Sequence, residues 1–239
     1  MARGQGVKSS GGSKIGDGGV RRQTERVKTA RRRKIGSTQW LQRQLNDPYV
    51  QEARKDGYRS RAAYKLLQID EKFKLFKPGI IVVDLGAAPG GWTQIAVEKV
   101  LPEISGGKVI GFDINEVFPI EGATILQGDL FDKNVPEELC RLTLGKANGV
   151  LSDMAAAATG HSQTDHLRTM ALAEAALNFA CDALTDGGFF VVKILQGADE
   201  PALFSCIRKY FGKVRRYKPP ASRSDSREIY IIGTEFKGS

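Results

Sequence analysis

The chain has 239 residues, 41 % of them hydrophobic and 26 % charged, and a formal net charge of +9. That suffices for one α/β domain with a substantial core and is too little for two large ones. No run approaches the roughly 18 apolar residues of a membrane helix, the Gly-rich basic start lacks the apolar stretch of a secretory signal, and Cys140, Cys181 and Cys206 lie too far apart for a disulfide scaffold or a CxxC zinc ribbon, which fits a reducing cytoplasm.

Residues 1–36 hold 11 Lys/Arg against 2 Asp/Glu, whereas residues 37–239 hold 25 of each, so the whole charge excess lies in the leading segment. Seven glycines fall in its first twenty residues, and no aromatic residue precedes Trp40. Such a segment cannot bury enough apolar surface to offset its ordering entropy. The expectation is a flexible basic arm over 1–36, dense at Arg31-Arg32-Arg33-Lys34, that neutralises RNA phosphates, followed by one folded domain over 37–239. The domain has two further basic clusters. Arg54, Lys55, Arg59, Arg61 and Lys65 form the first; Arg208, Lys209, Lys213, Arg215, Arg216, Lys218, Arg223 and Arg227 form the second. On one face they would line a groove for a phosphate backbone.

Residues 38–76 read as helical. Asp47-Pro48 has the form of an N-cap followed by Pro at the first helical position, and Ser60 is placed to cap a second helix through about Phe73. Ala62, Ala63, Leu66, Leu67, Ile69 and Phe73 gather on one side of that helix. Lys65 sits at the margin of the stripe, free either to snorkel to solvent or to point into a cleft. Strands and helices then alternate. Ile80–Leu85 is an apolar, β-branched run suited to a strand buried on both faces, and a helix follows from about Trp92 to Val100. Strands are predicted at Lys108–Ile114, Thr124–Gln127, Gly149–Ser152 and Phe189–Leu195. A long helix over about Thr164–Leu184 is expected to stop at Gly187-Gly188. A helix over Asp199–Phe211 precedes the strands Val214–Tyr217 and Glu228–Phe236, which have no helix between them. The pattern predicts an α/β, Rossmann-like, mostly parallel seven-stranded sheet with N-terminal helices and an antiparallel pair at one edge.

The richest signal is Asp84-Leu85-Gly86-Ala87-Ala88-Pro89-Gly90-Gly91-Trp92, between a strand and a helix at the carboxyl edge where open α/β sheets bind ligands. It is neither a GxGxxG dinucleotide fingerprint nor a P-loop. An acid, Asp113, ends the next strand and can accept the hydroxyls of an adenosine ribose. Asp129 follows the third strand, in position for an adenine amino group. Lys193 interrupts the apolar run Phe189–Leu195. Burial there would lower its pKa. His161 and His166 are five apart, unlike i,i+4 metal ligands, and are expected in a polar loop after the Asp153 strand.

The loop string resembles the S-adenosylmethionine loop of the FtsJ/RrmJ family of ribosomal RNA 2′-O-ribose methyltransferases. Ser60-Arg61-Ala62-Ala63-Tyr64-Lys65-Leu66, Ser152-Asp153-Met154-Ala155, Phe190-Val191-Val192-Lys193 and Ser226-Arg227-Glu228-Ile229-Tyr230 resemble its other motifs in the right order, across roughly 38–236. The resemblance implies S-adenosylmethionine as cofactor, with Gly86, Gly90, Trp92, Asp113, Asp129 and Asp153 at its site and no metal. It implies Lys65, Asp153, Lys193 and Glu228 as the catalytic set. The target it implies is the 2′-hydroxyl of one uridine in large-subunit (23S) ribosomal RNA, within the 50S particle, and the enzyme it implies is a cytoplasmic monomer acting in subunit maturation. Family members commonly continue Ser-Asp-Met-Ala with Pro-Asn; here Ala156-Ala157 follows.

Transfer to a hydroxyl needs a group that takes its proton or stabilises the developing oxyanion, and Lys193 suits either role. An Asn/Asp-Pro-Pro-aromatic stretch, which serves amino targets, is replaced by Ser152-Asp153-Met154-Ala155, and no cysteine sits in a Pro-Cys loop, so oxygen is the preferred target. The alternatives are a non-catalytic RNA-binding assembly factor that retains the fold and a nicotinamide oxidoreductase on the same sheet.

Overall fold

Asp47 opens the first helix of the domain as its sequence dictates. In a computed structural model of the chain its extended backbone and carboxylate cap α1 (Pro48–Asp56), accepting from the Tyr49 N–H at 3.1 Å, and Pro48 sits where an N–H would go unused. The structure describes residues 38, 41–42, 44–156, 159–197 and 199–238; the basic arm at 1–36 lies outside them. Residues up to Asn46 form one unit, helical at 41–42 and 44–45, and Asp47–Ser239 forms another.

Within the second unit the order is α1, α2 (Ala62–Phe73), β1 (Ile81–Leu85), α3 (Gly91–Val100), α4 (Pro102–Ser105), β2 (Lys108–Asp113), β3 (Ala123–Gln127), α5 (Val135–Thr143), β4 (Ala147–Ser152), α6 (Ser162–Ala183), β5 (Leu184–Leu195), α7 (Glu200–Tyr210), β6 (Phe211–Tyr217) and β7 (Glu228–Phe236). The seven strands form one sheet in the order β3-β2-β1-β4-β5-β7-β6. Strands β3 through β5 are parallel neighbours, and β7 runs antiparallel between β5 and β6. Strand order reverses between β1 and β4, which opens a crevice at the carboxyl edge.

Period-two alternation sends successive side chains to opposite faces. Val83, Leu85, Val150, Phe190 and Val192 face a core shared with α5, α6 and α7. Val82, Leu151, Val191, Tyr230 and Ile232 face a second core shared with α2 and α3. Gly149, on β4, lies opposite Phe189 of β5. A Cβ there would lie 2.2–2.7 Å from the Phe189 ring. Gly149→Ala is therefore expected to destabilise the domain by about 1–3 kcal/mol through overpacking, read as a lower denaturant midpoint with an unchanged m-value.

Three sequence expectations shift. Ser60 does not cap α2; Arg61 holds the N-cap position without a side-chain capping bond, and the Ser60 hydroxyl is buried without a hydrogen-bond partner. Gly187-Gly188 does not end the long helix. That helix stops at Ala183 and β5 starts at once. The glycines instead fall where the β4–β5 register slips between Ala147↔Leu184 and Gly149↔Phe189, and Gly187 takes a φ of 78° there, the use a bulge makes of glycine. Helix α5 was not anticipated, although its sequence, VPEELCRLT, starts with Pro at the second position and two acids in the first turn.

The two ends of the domain are tied together. The Asp47 carboxylate takes Arg61 and, at 3.3 Å, Arg223; Arg61 also bonds the Ala221 carbonyl, and the Ala221 N–H donates to Gln68 Oε1 at 2.7 Å. The connection between β6 and β7 is thereby latched onto α1 and α2.

Candidate active site

Strand register assembles the site along the carboxyl edge. Leu85 pairs with Phe112 on one side and Ser152 on the other. Asp113 and Asp153 are the next residues of those flanking chains, so they lie either side of the Gly86 turn. Gln127 pairs with Asp113, which brings Asp129 alongside. Ser152 pairs with Val192, and the following Lys193 pairs with Tyr230. Residues far apart in sequence thus form one row.

The loop between β1 and α3 turns through glycines at positive φ, Gly86 at 81° and Gly90 at 118°. A Cβ on Gly86 would lie 2.9 Å from the Met154 backbone, so only glycine lets this turn lie against the chain that follows Asp153. Trp92 is buried, its indole N–H donates to the Ala62 carbonyl at 2.8 Å, and its ring lies 5.6 Å from that of Tyr230. The ring belongs to the core, and what Trp92 offers a ligand is backbone. Beneath the loop Asp84 is fully buried. Thr93 donates to its Oδ2 at 2.7 Å, and its Oδ1 has no partner. Burial, with the charges of Asp153 and Asp113 adding to it against the Thr93 bond, pushes the Asp84 carboxyl up to about 7.

Asp113 is buried and already accepts three hydrogen bonds: from the Ala88 N–H at 2.9 Å, the Asn115 N–H at 2.7 Å and the Asn115 amide at 3.0 Å. A carboxylate has about four acceptor positions. One is left at Oδ2, room for a single hydroxyl without displacing Asn115. Asp129 accepts from the Phe131 N–H at 3.0 Å through Oδ1 alone.

The four residues of the expected catalytic set come together as two ion pairs. Lys193 Nζ lies 2.9 Å from Asp153 Oδ1 and donates to the Asp153 carbonyl at 2.5 Å. Lys65 Nζ lies 2.8 Å from Glu228 Oε1. Lys65 is 8 % exposed, which settles the choice between snorkelling and an inward pose. Burial works to raise the Asp153 carboxyl, and Lys193, Lys65 and the hydroxyl of Tyr230 outweigh it, holding it below the usual carboxylate range. Sequence reasoning does not single out Tyr230. It is fully buried, donates to Asp153 Oδ1 at 2.8 Å, and carries Lys65 Nζ 5.7 Å from its ring centroid. Burial, then the charges of Asp153 and Glu228, hold its phenol well above its ordinary value, so it stays a donor. The available signal was alternation: Tyr230 is two residues from Glu228 and shares its face.

Several expected features are rearranged. His166 lies inside α6, not in a loop; it is buried, with Nε2 3.1 Å from Asp199 Oδ2. The basic clusters are largely engaged within the chain. Arg61 and Arg223 serve Asp47, Lys65 serves Glu228, Arg216 serves Glu200, Lys213 serves Glu235, and Arg227 bonds the Gln196 carbonyl.

Chemically, the edge has two halves. The half at Asp113, Asp129 and Asp153 is rich in acceptors, with positions left on Asp113 and Asp129, which suits a cationic ligand bearing hydroxyl and amino groups. S-adenosylmethionine has that character, whereas a nicotinamide dinucleotide would bring a pyrophosphate up to carboxylates. The other half holds two lysines aligned by acids, a setting that orients a nucleophilic oxygen and stabilises charge developing on it.

Known proteins resemble the chain along most of its length. The sequence model of the FtsJ-like methyltransferase family matches residues 58–236. The chain is similar to the ribosomal RNA large subunit methyltransferase E of Paramagnetospirillum magneticum, at 56 % identity over 239 residues covering 98 % of each protein. It is similar to the protein of that name from Parvibaculum lavamentivorans, at 51 % identity over 94 % of this chain and 91 % of that one. Among solved structures, a ribosomal RNA methyltransferase from Plasmodium falciparum superposes with a TM-score of 0.68 at 31 % identity, covering 76 % of this chain and all (100 %) of that one.

Proposed function

The chain belongs to the FtsJ-like methyltransferase family, and on that premise we propose that it transfers the methyl group of S-adenosylmethionine to the ribose 2′-hydroxyl of a uridine in large-subunit ribosomal RNA. The observation that carries this reading is the pairing of Lys193 with Asp153 and of Lys65 with Glu228 at the same sheet edge as the glycine loop. The names of the related proteins support the RNA target. The enzyme works as a monomer on the assembled 50S particle, in the cytoplasm, during large-subunit maturation.

When bound, S-adenosylmethionine supplies a methyl group on a positively charged sulfur. Asp129 and Asp113 would hold its adenosine, and the backbone of the Gly86–Trp92 turn and Asp153 would hold its methionine end. A ribose hydroxyl is a weak acid, so its activation falls to the chain. Lys193 presents a donor to the hydroxyl oxygen, aligned by two bonds to Asp153, and would stabilise the charge on that oxygen as the oxygen–carbon bond forms and the carbon–sulfur bond breaks, its electron pair leaving with a neutral thioether. The hydroxyl proton passes to the carboxylate of the Lys193–Asp153 pair, the acceptor paired with that amine. Lys65 and Glu228 orient the ribose from α2 and β7.

The test is incubation with large ribosomal subunits that lack the modification and methyl-labelled S-adenosylmethionine, followed by mapping of alkali-resistant linkages. Label at a single 2′-O position of a uridine is expected. Binding to the subunit without label would identify a non-catalytic assembly factor, and label on a base would move the target off the sugar.

A further inference from the structure

Arg59 lies in the turn between α1 and α2, on the chain that leads to Lys65, yet its side chain reaches the opposite wall of the cofactor edge. Nη1 donates to the Phe118 carbonyl at 2.6 Å and Nη2 to the Pro119 carbonyl at 2.6 Å, while Nη1 also lies 3.4 Å from the Pro89 carbonyl. The turn that carries it is pinned to α3. The Arg59 N–H donates to Gln94 Oε1 at 2.9 Å, and Gln94 Nε2 donates to the Gly57 carbonyl at 3.1 Å. On the way the side chain crosses Gly90. A Cβ at that residue would meet Arg59 Cδ and Nη1 at 3.0 Å and Ile120 Cδ1 at 2.7 Å. Among the described residues no carboxylate forms an ion pair with Arg59. Its cation is held by main-chain oxygens of two segments, which the Ala88–Asp113 hydrogen bond and the packing of Ile120 on Gly90 also link.

Those segments are the glycine loop and the stretch 114–120, which begins directly after Asp113. The second is anchored in its middle by buried Val117 and at its start by Gln127, which donates to the Ile114 carbonyl, while Ile114 and Phe118 are 61 % and 72 % exposed. A guanidinium is a planar fork of fixed geometry, and charge-assisted bonds from it are about twice as strong as neutral ones. One side chain therefore fixes the spacing between loop and wall.

We propose that Arg59 is a positioning residue for the methyl donor, setting the width of the adenosine cleft by fastening the segment 114–120 to the Pro89-Gly90 turn. This rests on the reading that this edge binds S-adenosylmethionine. Arg59 sits among basic residues on the expected RNA side, so the competing role is a phosphate contact. The geometry favours positioning because both terminal nitrogens are already turned onto carbonyl oxygens.

The experiment compares wild type, Arg59→Ala and Arg59→Lys by calorimetric titration with S-adenosylmethionine, by KM and kcat for each substrate, by RNA affinity, and by amide exchange over 114–120. In Arg59→Ala the cofactor Kd and its KM are expected to rise about tenfold together, with kcat at saturation and RNA affinity within about threefold of wild type. Amides of 114–120 are expected to exchange about tenfold faster even without ligand. Arg59→Lys, able to hold one carbonyl rather than two, falls between. A cofactor Kd within about twofold of wild type, with the loss confined to RNA affinity, overturns the inference. If Arg59→Ala fails to fold, wild-type exchange and cofactor Kd in Arg59→Lys overturn it equally. Failure of the wild type itself to bind S-adenosylmethionine would instead remove the cofactor reading beneath it.

Discussion

Lys193→Ala is expected to lower turnover at saturating substrates by about a thousandfold while leaving affinity for S-adenosylmethionine within a few-fold. The magnitude is what one positioned proton-transfer or charge-stabilising group contributes, roughly 10²–10⁴. The selectivity follows from geometry. Lys193 Nζ contacts Asp153 and not the glycine loop. Its removal leaves the Asp153 carboxylate with the Tyr230 hydroxyl and the field of Lys65. The fold should persist for the same reason, and circular dichroism checks it. Single-turnover kinetics with labelled donor separate the chemical step from release. A chemical step within tenfold of wild type would show that the amine is dispensable and that Lys65 carries the oxygen.

The second large effect concerns stability against pH. Asp84 is an acid whose folded pKa, about 7, lies above its ordinary value of 3.8, principally through burial. Between those values the folded chain keeps a proton that the unfolded chain has released. Stability is then highest below about pH 4 as far as this group is concerned, and falls as pH rises toward 7. A shift of that size corresponds to a loss on the order of 4 kcal/mol. The depressed Asp153 acts in the opposite sense, but below its ordinary pKa, so it does not offset Asp84 in this window. Asp84→Asn cannot ionise and should remove the slope. Thermal melts at pH 5.5 and 8 are expected to show the variant gaining on wild type by several degrees at the higher pH. An identical pH slope in both proteins would assign it to other groups.

Much of this arrangement was legible in the sequence because its signals were local. Asp47-Pro48 spells a helix start, Ile81–Leu85 spells a buried strand, and the loop from Asp84 to Trp92 is distinctive in its own right. The four charged residues were legible through their motifs. What the sequence could not convey was partnership. Whether Lys65 turns inward depends on Glu228, 163 positions later, and on the latch at Asp47. The basic clusters looked like a phosphate track because charge can be counted from sequence, while the oxygens that engage it cannot. Tyr230 and the buried, unpartnered oxygen of Asp84 were hidden similarly: both read as ordinary strand residues until neighbouring strands are laid beside them. The different role of Gly187-Gly188 has another cause, because glycine marks a helix stop and a bulge equally well.

The latch between Asp47 and the β6–β7 connection bears on when the protein becomes active. Chains emerge amino-terminus first, so α1, α2 and the glycine loop are available well before Arg223 and Glu228 exist. Contacts this distant in sequence close late in folding. A nascent or carboxy-terminally clipped chain can shape the donor half of the edge, yet lacks the strand that completes the lysine half. On the proposed roles of Lys65 and Glu228, competence toward RNA would arrive with the last hairpin.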